Sequence, residues 1–65
     1  MNQELQYVIT ANANGSLVYR MNGGWTSVFG RAMRFDKDSA YYELNRLKAR
    51  HPDDWSFRIV EIYKT

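Results

Sequence analysis

No cysteine occurs in the 65 residues, and histidine and proline occur once each. The missing cysteine removes disulfides as a source of stability, in a chain short enough to bury only about 60% of the surface its unfolded form exposes. A zinc site is excluded too, because one histidine without cysteine cannot supply the ligands. No apolar run approaches the ~20 residues that a membrane-spanning helix needs. The amino-terminal MNQELQYVIT has neither the basic start nor the apolar stretch of a secretion signal. These absences point to one domain, residues 1–65, in the cytoplasm, with no membrane, no metal and no cofactor. Asn14-Gly15-Ser16 matches a glycosylation acceptor, but without a secretion signal it reads as a turn.

Net charge is also small. Nine Lys and Arg against seven Asp and Glu leave a net +2, a balance that permits nucleic acid as a partner without arguing for it. What the chain has in quantity is aromatic side chains, 15% of its residues, and these carry the largest burial per residue into a small core.

Two stretches alternate with period two. Leu5, Tyr7, Ile9 and Ala11 share one face, and Leu17, Tyr19 and Met21 share another, with Asn-Ala-Asn-Gly between them. This is a β-hairpin. A three-residue loop Ala13-Asn14-Gly15 would pair Tyr7 with Met21, Ile9 with Tyr19 and Ala11 with Leu17, keeping the apolar residues together. A two-residue Asn14-Gly15 turn would set Ile9 against Arg20, so the longer loop is the expectation, with Tyr19 inward and Arg20 outward.

Asn22-Gly23 marks a second turn, after which GGWTSVFGRAMRF is expected to be a third strand. In it Met33 and Phe35 face the helix, Ala32 and Arg34 face out, and Gly30 marks a bend or bulge. Asp36 is positioned to cap a helix through the amide of Asp38 or Ser39. Ala40, Leu44 and Leu47 then recur at helical spacing, Arg46, Lys48 and Arg50 favour the last turns, and Pro52 predicts an end near Arg50. In WSFRIVEIYK the residues Trp55, Phe57 and Ile59 alternate, but Val60 and Ile62 continue the apolar series out of phase. Either a bulge or a central position covered on both faces explains this. The fold class is therefore α+β: a small antiparallel sheet of three to four strands, ordered β-β-β-α-β, with one helix on one face.

Residues able to carry chemistry are few. His51 has no Ser or Cys nucleophile at a telling spacing and suits a helix carboxyl end. The pairs Asp36/Asp38 and Asp53/Asp54 are accounted for by capping and turn chemistry. Nothing here marks an enzyme. Trp25, just after the second turn, is either a contact anchor or a lid on the core, and in a chain this short the lid is favoured. Tyr42, with Asn45 and Ala49, forms a low-charge outer strip on the helix, and Arg31 and Arg34 are further candidates for protein contact. The competing reading uses Arg20, Arg31, Arg34 and Arg58, all on expected strands among Tyr and Phe, as a face that holds phosphates and stacks bases. An exposed sheet edge adds self-association as a homodimer, or strand addition to another protein.

One pattern spans much of the chain: Trp25-Thr26, Ala32 and Phe35-Asp36 running into Ala40, then Pro52 and the apolar run from Ile59 to Ile62. It resembles small phage and prophage accessory proteins. The resemblance implies a context rather than a site: a small non-enzymatic module that binds a host protein and blocks or redirects it, anti-defence inhibitors included.

Overall fold

The computed structural model describes residues 4–50 and 55–64. His51, Pro52 and the Asp53/Asp54 pair lie outside the described residues. Strands β1 (Glu4–Ala13), β2 (Ser16–Met21), β3 (Gly24–Thr26) and β4 (Arg58–Lys64) form one antiparallel sheet in the order β3-β2-β1-β4, with helix α1 (Lys37–Arg50) between β3 and β4 in sequence. The expected α+β class with one helix holds.

The hairpin register differs from the expectation. Thr10 pairs with Tyr19, Ala11 with Val18, Asn12 with Leu17 and Ala13 with Ser16, so the loop is the two residues Asn14 and Gly15. Both are left-handed, at φ 53° and 86°. This is the backbone of the mirror-image two-residue turns whose twist matches that of paired strands. The Asn12 side chain secures it by accepting from the Gly15 N–H at 2.9 Å. Turn geometry thus prevails over the polarity match, and the orientations reverse. Val18 and Arg20 face the helix, Leu17 is exposed, and Tyr19 lies on the opposite face.

The mismatch that made this register look unfavourable is relieved by distant residues. The β1–β2 ladder ends at Thr10–Tyr19, and the segment 33–35 wedges between the diverging strands. The Met33 N–H bonds the Arg20 carbonyl at 2.9 Å, while Phe35 exchanges two bonds with Tyr7 at 2.9 and 3.0 Å. Arg20, carried toward the helix, meets Glu43 there.

The third strand is shorter than expected. Asn22-Gly23 does make the turn, with Gly23 at φ 82° and Met21 opposite Gly24, but β3 ends at Thr26. The Thr26 hydroxyl accepts from the Val28 N–H at 3.1 Å, a local bond that competes with ladder pairing. Phe29–Arg31 then form a single 3₁₀ turn through Gly30 rather than a bulged strand. The facing changes accordingly: Ala32 is buried and Met33 exposed, whereas Phe35 packs against the core and Arg34 is exposed, as expected.

The helix follows its signals. The Asp36 carboxylate accepts from the Ser39 N–H at 2.8 Å, and Ala40, Leu44 and Leu47 are its buried residues. Leu44 and Leu47 close on Ile9, Ala11 and Phe57, with Val18, Trp25, Phe35, Trp55 and Ile59 around them. β4 is neither bulged nor central. It pairs without interruption from Arg58 opposite Thr10 to Lys64 opposite Glu4 and forms an edge. Val60 and Ile62 simply point to the face away from the helix, where Val8 and Thr10 are also buried. The left-handed Ser56, at φ 53°, lies just before the strand and brings both Trp55 and Phe57 to the core.

Candidate binding surfaces

Where residues 33–36 leave the sheet and the first turns of α1 begin, the chain leaves an open groove of about 690 Å³. Met33 and Tyr42 line it, 42% and 69% exposed, and so does the half-buried Phe35. Asp36 and Asp38 add carboxylates to its lining. Hydrogen bonds from the Ser39 backbone, and then from its side chain, hold the Asp36 carboxyl below the ordinary value of 3.8, so it is charged at neutral pH. Large apolar side chains beside fixed negative charge suit an apolar group next to a cation.

The candidate contact residues divide between this groove and other places. Tyr42 and Arg34 both line it. Arg34 is held, its guanidinium 4.9 Å from the Phe29 ring centroid and donating to the Ala32 carbonyl at 3.1 Å. Arg31 is exposed at the end of the 3₁₀ turn. Trp25 is half-buried in a cluster of three aromatic rings, 5.8 Å from both Trp55 and Phe57, and packs against the core.

Arg20 belongs to the interior. Its guanidinium lies 5.3 Å from the Trp25 ring centroid, its Nε is 3.0 Å from Glu43 Oε2, and an Nη donates to the Gly24 carbonyl at 3.2 Å. The other Glu43 oxygen is 3.3 Å from Arg46. Arg20 is therefore withdrawn from any phosphate-holding face, because the observed register turns it toward α1, where its Nε and one Nη are engaged.

The face opposite the helix carries one further basic candidate. Arg58 is exposed there, opposite Thr10, whose other neighbour is Tyr19. The Tyr19 and Phe29 rings meet edge to face at 5.4 Å, and Arg34 lies over Phe29. This face thus joins two aromatics with arginines, an arrangement the three-residue loop did not allow for.

Sequence reasoning missed Met33, Phe29 and Glu43. Nothing local marked Met33 as exposed, since its parity in a strand pointed inward. Glu43 was legible as the i,i+3 partner of Arg46 on a helix, but not as the partner of Arg20. Among the described residues, no group of three His, Asp or Glu side chains is placed to hold a metal ion, and no helix is long and apolar enough to cross a membrane. No family model, curated protein or solved structure matches the chain.

Proposed function

We propose that the protein is a small non-enzymatic binding module that engages another protein through the groove beside the amino end of α1. The observation that carries this reading is the exposure of Met33 and Tyr42 in one groove, beside a core closed by Leu44, Leu47 and Phe57. The partner segment presents an apolar side chain to Met33 and Tyr42 and a Lys or Arg to Asp36 and Asp38. The resemblance to phage and prophage accessory proteins supports a host protein in the cytoplasm as that partner, bound so as to inhibit or redirect it.

The test is affinity capture from host lysate with the wild-type chain and with Tyr42→Ala and Met33→Ser. A stoichiometric protein retained by the wild type and weakened about tenfold or more by either variant is expected, that being the effect of losing an anchor at an interface. Recovery of nucleic acid alone, with no stoichiometric protein, would sink the proposal.

A second reading, weak nucleic-acid binding, is favoured by one observation: Tyr19 meets Phe29 edge to face, and Arg34 lies over Phe29, on the face that also bears Arg58. It requires affinity that falls steeply with salt and is lost in Arg31→Ala or Arg34→Ala. A protein interface at the groove shows weaker salt dependence.

A further inference from the structure

The two edges of the sheet are unequal. β3 is only three residues long, which blunts it as a template. β4 runs for seven residues with no proline and no bulge, paired to β1 throughout, and among the described residues no strand lies on its other side. Such an edge offers a row of backbone donors and acceptors, and their positions follow from the hydrogen bonds of β1. Along an antiparallel strand, the N–H and C=O of one residue point to the same side, and the side alternates. Tyr7 directs both groups to Phe35, and Asn12 donates to Trp55 on the β4 side. Val8 therefore turns toward β4, and Val60 opposite it turns toward β1. By alternation, Ile59, Glu61 and Tyr63 direct their N–H and C=O groups outward.

We infer that β4 pairs antiparallel with β4 of a second copy, about a two-fold axis through Val60, to give a continuous eight-stranded sheet with both helices on one face. A two-fold interface must be complementary to itself, and side chains on this edge select the register. Full overlap, centred on Glu61, sets two carboxylates directly opposite each other and is disfavoured. The registers centred on Val60 and Ile62 retain five-residue overlaps of β4 without that clash. Val60 is 41% exposed and more exposed than Ile62, so pairing at Val60 removes more apolar surface from water. In that register Ile59 and Glu61 exchange backbone bonds with Glu61 and Ile59 of the second copy, and Val60 meets its own symmetry mate. Glu61 acts as the register filter. This assembly is separate from the Met33–Tyr42 groove and leaves it open.

The absence of native cysteine makes the geometry directly testable. Val60 would form a non-hydrogen-bonded pair across the axis, with Cα atoms about 4.5 Å apart, inside the roughly 4.4–6.8 Å that a disulfide spans. Val60→Cys and Ile62→Cys, both with Glu61 retained as the register filter, are each oxidised at micromolar concentration, and the wild type and Val60→Lys are sedimented over a concentration series. Expected are a wild-type dimer that dissociates on dilution, a monomeric Val60→Lys with an unchanged far-UV circular dichroism spectrum, and covalent dimer from Val60→Cys ahead of Ile62→Cys. A wild type that stays monomeric at every concentration overturns the inference. Preferential cross-linking through Ile62→Cys, or a Val60→Lys that remains dimeric, also overturns it.

Discussion

Glu43 is the joint between the helix and the hairpin, and replacing it should cost more than an ordinary surface substitution. Its carboxylate holds Arg20 at 3.0 Å and Arg46 at 3.3 Å, with side-chain exposures of 13% for Glu43, 19% for Arg20 and 47% for Arg46. Exposed ion pairs contribute about 0–1 kcal/mol, and removing one partner of a fully buried pair costs about 3–5 kcal/mol. The Arg20 pair lies between these limits, so Glu43→Leu should cost about 2 kcal/mol, to which the Arg46 pair adds about 0.3–0.5 kcal/mol. A chain of 65 residues is expected to have only about 3–10 kcal/mol in total, and each kcal/mol lowers the melting temperature by about 4–8 °C. The combined loss of about 2.3–2.5 kcal/mol corresponds to a drop of about 9–20 °C. Urea unfolding by tryptophan fluorescence would measure the loss, because Trp25 and Trp55 are in contact near Arg20. A double-mutant cycle with Arg20→Met should give a coupling of about 1–2 kcal/mol, against the ~0.3 kcal/mol within which independent sites add. A coupling inside that additive range would show that the pair does not hold α1 to the hairpin.

Two more outcomes follow from the local geometry. Asn14→Ala places a side chain without local hydrogen bonding in the left-handed region, which should cost about 1–2 kcal/mol, while Asn14→Gly should be near neutral in the same melts. A neutral Asn14→Ala would instead favour the three-residue loop, in which only Gly15 needs a positive φ. The lowered pKa of Asp36 means that its stabilising effect is fully present above the ordinary value of 3.8 and is lost as pH falls below it through the folded-state pKa. Asn at the cap keeps the acceptor but does not titrate, so the stability advantage of wild type over Asp36→Asn should shrink on acidification. An advantage that holds constant through that range would refute the assignment.

The helix was legible because its signals lie within a turn or two of one another. Asp36 caps Ser39, and Ala40, Leu44 and Leu47 are all buried. Both turns were legible as well, since Asn-Gly marks each of them. The register of the first was not, because the apolar pairing that favoured the longer loop left out what distant residues could do for Arg20. Glu43, 23 residues further on, neutralises it, and Phe35 takes up the pairing at Tyr7 that β2 abandons. The candidate site was half-visible for the same reason. Tyr42 stood out as exposed on a helix, whereas Met33 became visible only once the expected third strand proved to be a 3₁₀ turn and a wedge.

The sequence by itself therefore determined the kinds of element and their order: two turns, a capped helix of known buried face, and an apolar last strand, within an α+β class. Each rests on interactions between residues close in the chain, whose energies are set before the chain closes on itself. Tertiary structure decided the hairpin register, the inward course of Arg20, the outward face of Tyr19 and the exposure of Met33. Those depend on which remote side chain or backbone segment arrives to complete a partner, and in this chain Glu43 and Phe35 do so.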